Sequence, residues 1–597
     1  MSHNDDNEQL RAEIQFGVLP RVRRPGRYAG GELNAVVKPD ADIRLALCFP
    51  EVYEIGMSNH GFMLLYHLVN ELDRAACERV FAPWPDMERE LAARNLPLYS
   101  LETFTPLHRF DIAGFSLSYE MTYSNVLTML HSGGIPLLSA DRGPEHPLVV
   151  AGGGCAVNPE PMARFIDLFV VGEGEEAVVE LIELARAAKA DGRGRDRLLE
   201  DAARLPGVYV PRFARTEENQ AGFEVVTDYQ NSELPVRRRW VKDLSTSYYP
   251  EKCVLPAIEA VHDRMNLEIF RGCTRGCRYC QAGMIYRPHR ERPPRRIASL
   301  AEGMYRSTGM EEVSLLSLNA PDYSRLGELL DRLLEVTGPQ KISISMPSSR
   351  IDTFSSELGE KLRKVRGTGL TLAPEAGTQR LRDVINKRIT DEDIEEAVRS
   401  SVRAGWKKVK FYFMIGLPTE TFEDVEGIAE MIGRLSRFMG KKKRRRGKRR
   451  DDFTLSVSSF VPKPHTPFQW EPMDTRETLH EKQRLLRSKL KDMPVKIDFH
   501  DVGRSFLEGV FARGDRRLGA VIEEAWRRGA RFDGWSDVFD AQIWRAAFEA
   551  AGLDPEKYAH TRHRPGGRLP WSHVASGVSE KYFMIERNKA LRGDTTP

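Results

Sequence analysis

Three of the chain's seven cysteines stand within eight residues: Cys273, Cys277 and Cys280, in RGCTRGCRYCQAG at 271–283. Three thiolates at this spacing can converge on one metal centre, because so short a loop folds round it. A structural zinc site is closed by four ligands. Here no fourth cysteine or histidine stands at a usual offset, and the nearest flanking candidates are Cys253, His262 and His289. An iron–sulfur cluster is also commonly held by four thiolates. With three, one iron stays open to another ligand. A structural zinc and simply packed cysteines are the competing readings, and the spacing favours the open cluster.

Such a loop must hang from a frame. LEIF (267–270) runs directly into the cysteines, and five more strand-like runs follow: EVSLLSL (312–318), KISISM (341–346), GLTLA (369–373), KVKFYFMIG (408–416) and FTLSVSSFV (453–461). Helical patterns separate them, such as DEDIEEAVRSSVRAG, capped by Thr390 and stopped by Gly405. Six units predict a partial (β/α)6 barrel over 261–475, with its chemistry in the loops after the strands.

A second α/β unit is expected over 41–190. IRLALCF (43–49) has the unbroken apolar character of a buried parallel strand. DIAGFSLSY (111–119), PLVVAGGG (147–154) and IDLFVVGEGE (166–175) follow. The last two run into Gly152, Gly153, Gly154, Gly172 and Gly174. The pattern predicts a Rossmann-like doubly wound sheet with ligands at the carboxyl ends of its strands. Residues 1–40 read as a loosely structured lead-in, 191–260 as a connecting segment, and 476–597 as a helix-rich, arginine-rich C-terminal region and tail.

C-x3-C-x2-C with Tyr279 before the last cysteine resembles the signature of radical S-adenosylmethionine (SAM) enzymes. The order of a Rossmann-like unit and then a barrel resembles the members with a fused cobalamin-binding domain, over about residues 30–475. The resemblance implies a [4Fe–4S] cluster on Cys273, Cys277 and Cys280, with SAM chelating the open iron. An external flavodoxin- or ferredoxin-like donor then supplies the electron that cleaves SAM to a 5′-deoxyadenosyl radical. In LSLNAPDYS (316–324), it implies Ser317 and Asn319 as contacts of the methionine amino group. In LAPEAGTQRLRDVINK (372–387), it implies Glu375 for the ribose hydroxyls and Arg380 as a fork donor to the methionine carboxylate. In FMIGLPTET (413–421), Gly416 permits close approach of the adenine. FVPKPHTPFQW (460–470) would wall the nucleoside. Cobalamin would lie against Gly152, Gly153, Gly154, Gly172 and Gly174. The D-x-H-x-x-G motif that puts histidine on cobalt is absent, because FPEVYEIGMSNHGFML (49–64) sets His60 directly before Gly61. No histidine on cobalt is expected from that motif. Without the resemblance, Glu375 reads as a helix cap, Arg380 as solvated and the glycines as tight turns.

The expected reaction is a cobalamin-dependent methylation or related radical modification of an unknown substrate. An RNA-modifying methylthiotransferase would carry a second cluster on three N-terminal cysteines. Here Cys48, Cys77, Cys155 and Cys253 are scattered. The intact triad also speaks against a non-catalytic cofactor-binding or regulatory protein.

Composition is that of an ordinary soluble protein, 41% apolar and 29% charged. There is no apolar run of 18 residues, so no membrane span is expected. The polar, acidic start predicts no secretory signal, hence a cytoplasmic protein with reduced thiols. Net charge is +3, yet nine of the 89 basic residues crowd into KKKRRRGKRR (441–450). Without them the remaining 80 would fall six short of the 86 acidic residues. The run reads as a solvated insertion; RNA is the polyanion it would otherwise suit.

Overall fold

The computed structural model describes residues 3–230, 233–346, 370–403, 408–439 and 453–596. Its first unit is a six-stranded sheet. β1 (Ile43–Phe49), β2 (Ala75–Phe81), β3 (Ile112–Ser116), β4 (Leu148–Gly152), β5 (Leu168–Val170) and β6 (Val208–Tyr209) lie in the order β2-β1-β3-β4-β5-β6. The first five are parallel, and β6 is antiparallel to β5. This is a doubly wound order whose switch point falls between β1 and β3, where the crevice for a ligand opens.

β2 reads poorly in sequence because AACERVF carries two charges. Both are buried and matched. Glu78 accepts from Ser100 and Thr103 at 2.6 Å and pairs with Arg44. Arg79 bonds Glu32 at 3.0 Å and Glu102 at 2.6 Å. The lead-in is also more ordered than expected. A helix spans His3–Ala12, and Leu10, Ile14, Val18 and Val22 enter the core of the sheet unit. The segment after the unit holds a hairpin of β7 (Ala214–Glu218) and β8 (Glu224–Tyr229), then β9 (Val236–Arg237).

The second unit contains every strand expected of it. β10 (Met265–Glu268) leads to a short antiparallel pair, β11 (Phe270–Arg271) and β12 (Arg290–Glu291). β13 (Glu312–Leu316) and β14 (Ser343–Ser345) join β10 in one parallel sheet. β15 (Leu370–Glu375), β16 (Val409–Ile415) and β17 (Phe453–Ser459) form another with β18 (Val495–Phe499). The unit is thus two parallel sheets of three and four strands, and residues 347–369, which would link them, lie outside the described residues. Thr390 caps its helix reciprocally with Asp393, at 3.1 and 2.9 Å. Gly405 and the basic run 441–450 lie outside the described residues.

The C-terminal region is not only helical. β18 extends the second sheet past the expected boundary at 475, because VKIDF alternates as a half-buried strand does. Phe506, Phe511, Ile522, Trp544 and Tyr558 then return to the core of the first unit. β19 (Val574–Ala575) pairs with β9. Among the described residues, no helix is long and apolar enough to cross a membrane.

Candidate functional site: a cysteine loop between two cavities

The loop that carries the cysteines leaves β11 and is pinned from below. Arg278, between Cys277 and Cys280, is fully buried. Its guanidinium donates to the carbonyls of Val384 (2.9 Å) and Asp594 (2.7 Å) and to Glu586 (3.1 Å), while its amide donates to the Ile385 carbonyl (3.0 Å). Nothing in the motif marked this residue as an anchor; a charged side chain inside a metal-binding loop was the available signal. The Arg275 amide approaches the Cys273 sulfur at 3.5 Å, and the Gly283 amide donates to the Cys280 sulfur at 3.3 Å. Burial, and then the nearby Cys277 thiol, push the Cys280 thiol up to about 12. Three thiols that influence one another in a desolvated loop fit a group that supplies positive charge. Among the described residues, no three His, Cys, Asp or Glu side chains gather round a single ion. A cluster asks for a wider set, since each thiolate binds a different iron.

Beside the cysteines, the Tyr279 hydroxyl donates to Glu375 Oε1 at 3.0 Å, and Lys387 Nζ reaches the same oxygen at 3.1 Å. Burial, then Glu375, Cys277 and Cys280, raise the Tyr279 phenol, so it stays a donor. Glu375 ends β15 at φ 70°, beside a register shift against β16. A carboxylate held in left-handed backbone is a strained arrangement of the kind that collects at functional sites. The structure therefore brings Glu375 to the cysteine loop.

The other expected contacts divide. Ser317 follows β13, and its buried hydroxyl has no hydrogen-bond partner among the described residues. Asn319 is buried two residues on. Gly416 follows β16, and its amide donates to Glu420 at 2.7 Å. That carboxyl is pushed up to about 7 by burial, although Lys482 lies at 2.7 Å. Arg380 points elsewhere: its guanidinium pairs with Asp424 and donates to the Thr419 carbonyl at 2.9 Å. It is engaged with the cap of the helix Phe422–Ser436.

Between the first unit and the cysteine loop lies a cavity of about 490 Å³ at the carboxyl ends of β1, β3, β4 and β5. Leu47, Ile112, Val150 and Leu181 give it apolar walls, and Gly272, Ser317 and His60 belong to its lining. The expected glycines have separate tasks. Gly153 (φ 104°) and Gly172 (φ 105°) are required by neighbouring backbone. A Cβ there would lie 2.6 Å from the Leu117 carbonyl oxygen and 2.2 Å from that of Arg239. All five glycines line the cavity, and a Cβ on Gly154 meets nothing within 4 Å. His60 stacks on Tyr249 at 5.1 Å; burial lowers it to about 4, and its Nε2 has no partner among the described residues. An apolar crevice with open glycine backbone and an orphaned imidazole nitrogen fits a large cofactor with both an apolar face and polar groups at its edge.

The two units are clamped at this cavity. Glu173, after β5, receives Arg271 at 2.8 Å and Arg290 at 2.7 Å, two arginines that face each other across β11 and β12. Arg271 also holds Glu268 and Glu175, each at 2.8 Å.

The profile of the radical SAM superfamily matches residues 267–432, and that of the N-terminal region of radical SAM proteins matches 61–211. An uncharacterised protein of Methanocaldococcus jannaschii is 29% identical over 480 residues, 80% of this chain and 90% of its own length. The anaerobic magnesium-protoporphyrin IX monomethyl ester cyclase of Cereibacter sphaeroides is 24% identical over 272 residues, 44% of this chain and 40% of its own. Among solved structures, the radical SAM methyltransferase TsrM of Kitasatospora setae, with cobalamin and a [4Fe–4S] cluster bound, aligns at TM-score 0.49 and 14% identity. That alignment covers 85% of this chain and 100% of TsrM. The cobalamin-dependent radical SAM enzyme OxsB, with aqua-cobalamin bound, aligns at 0.46 and 11%, covering 92% and 80%. One profile spans the cysteine loop and the other most of the sheet that faces it: the chain carries a radical S-adenosylmethionine domain together with the N-terminal region of radical SAM proteins.

Proposed function

We propose that this enzyme holds a [4Fe–4S] cluster on Cys273, Cys277 and Cys280 and a corrinoid in the cavity of the first unit, and uses them with SAM to methylate an unactivated carbon of its substrate. The observation that carries the reading is the cavity itself. It opens at the switch point of a doubly wound sheet and is closed on its far side by the residue before Cys273. When bound, the cluster supplies the electron that cleaves SAM, and the corrinoid supplies a methyl carrier.

The chain's own residues position and exclude. Arg278 fixes the loop, so the thiols keep one geometry. Glu375, oriented by Tyr279 and Lys387, presents a carboxylate suited to two ribose hydroxyls. Ser317 offers a buried hydroxyl to the methionine amino group, with Asn319 close in sequence. The Gly416 backbone leaves room for adenine. Gly152 and Gly154 let a flat macrocycle lie against main chain, while the apolar walls keep water out. Arg380, engaged by Asp424, is less suited to the methionine carboxylate than the motif implied. The free thiols fit work in the reducing cytoplasm.

The test is anaerobic reconstitution of the full chain with iron, sulfide and hydroxocobalamin. Four irons, four sulfides and one corrinoid per chain, with 5′-deoxyadenosine or S-adenosylhomocysteine formed from SAM under reduction, are expected. A folded protein that takes up the cluster but no corrinoid would remove the methyl-carrier half of the reading.

A further inference from the structure

The cysteine loop has a second side. Gly272 belongs to the inner cavity, whereas Cys273, Thr274, Arg275 and Gly276 line a separate cleft of about 870 Å³. The opposite wall comes from 237–240 and 575–582, outside the matched superfamily domain. Four arginines line this cleft, Arg237, Arg238, Arg275 and Arg287, and no carboxylate does among the described residues. Arg275 is matched by Asp322 at 2.7 Å. Among the described residues, the other three have no carboxylate within ion-pair distance. Arg238 is spent on the Ser576 carbonyl. Arg287 bonds the Gly283 carbonyl at 3.0 Å and lies over the Tyr582 ring, 5.4 Å from its centre. Arg237 is exposed. A concave surface with unmatched positive charge attracts an acidic partner and speeds its encounter.

We propose that this cleft is where an acidic one-electron donor protein docks to reduce the cluster. The inference rests on the reading that Cys273, Cys277 and Cys280 hold that cluster. Radical SAM enzymes require an external electron source, and Cys273 is the ligand that the cleft exposes to one. The transfer makes and breaks no bond. An anionic flavodoxin hydroquinone gives one electron and becomes the neutral semiquinone, while the cluster passes from the 2+ to the 1+ state. The inner cavity stays free for the substrate side of the reaction.

The experiment follows cluster reduction in the reconstituted full chain by rapid-freeze electron paramagnetic resonance. Flavodoxin hydroquinone is compared with photoreduced 5-deazaflavin. Arg237→Glu is expected to slow flavodoxin-driven reduction about tenfold at low ionic strength, with the gap closing as salt screens the pair. The deazaflavin rate is expected to be unchanged. Adding Arg287→Gln should deepen the flavodoxin defect alone. Unchanged flavodoxin rates in both variants, or equal loss with both reductants, overturn the proposal. So does loss of single-stranded RNA binding in Arg237→Glu with flavodoxin-driven reduction intact, which would give the cleft to a nucleic acid. A wild-type chain that assembles no cluster fails earlier, at the proposed function.

Discussion

Tyr279 donates its phenolic hydrogen to Glu375 across 3.0 Å, joining the loop after β11 to the end of β15. The bond couples the cluster motif to the carboxylate assigned to ribose, and Lys387 completes it. Glu375→Gln keeps the shape but removes the charge. Charge-assisted hydrogen bonds contribute roughly 1.5–3 kcal/mol, so SAM affinity should fall about ten- to a hundredfold. Iron and sulfide content should not change. Equilibrium dialysis of SAM with iron analysis checks both; undiminished affinity would remove Glu375 from the binding role.

The cysteines predict metal content directly. The reconstituted wild type should hold about four irons per chain. Cys273→Ala, Cys277→Ala and Cys280→Ala should each lose the broad visible absorption and most of the iron. A wild type that holds tight zinc and no iron would reverse the assignment.

Gly153 and Gly154 predict opposite outcomes side by side. Gly153→Ala forces a side chain into left-handed backbone, a cost of about 1–2 kcal/mol, and drives it against Leu117. Its melting temperature should drop whether or not a corrinoid is present. Gly154→Phe has open space at its Cβ and should melt near the wild type yet bind hydroxocobalamin at least tenfold more weakly. Differential scanning fluorimetry and dialysis separate the two.

Acid should weaken the Glu268–Arg271 pair, which braces from within the second unit the arginine that clamps onto Glu173. Burial alone would raise Glu268, but the Arg271 guanidinium overrides it and holds the carboxyl at about 2. A carboxyl depressed in the folded state adds stability above its ordinary value, near 4.3. That stability is lost as pH falls from there through about 2. The whole effect is on the order of 3 kcal/mol. In cluster-free protein, melting temperature should decline below about pH 4.5, and Glu268→Gln should start lower and decline less. Parallel wild-type and variant curves would refute the pair's contribution.

The run 441–450 enters the chain between Met439 and Phe453, the amino end of β17. The cysteine loop follows the carboxyl end of β10. Deleting the run should therefore leave 5′-deoxyadenosine formation within about twofold of wild type with a chemical reductant, because ligands of parallel α/β sheets sit at the carboxyl ends of the strands. Polyanion binding should lose salt sensitivity, by about one unit of slope for each phosphate contact removed.

Much of this was legible because it depends on local pattern. The six strands expected of the second unit announce themselves as apolar runs ending in polar loops, and Cys273, Cys277 and Cys280 by spacing alone. What was hidden depends on partners distant in sequence. β2 looked too charged to be buried until Glu32 and Glu102 arrived to match Arg79. Gly153 was expected against a ligand and does line the cavity, but that the Leu117 backbone also fixes its conformation could not be read from the motif. Arg380 looked free until Asp424 met it. The lead-in looked loose because its apolar residues are sparse, although they pack on a core built from elements far downstream.

Arg278 carries one more consequence, in the timing of synthesis. Its buried charge is answered by Glu586, 308 residues later. Translation at about 5–20 residues per second separates the two by roughly 15–60 seconds. During that interval the loop has its thiols but not its carboxylate anchor. The Val384 and Ile385 carbonyls can already hold Arg278, but a buried guanidinium without its carboxylate costs about 3–5 kcal/mol, which should weaken the closed loop. A cluster on this loop is therefore expected to be retained only once the last helix has been made, and a ribosome-stalled chain ending before Glu586 should hold less iron than the released chain.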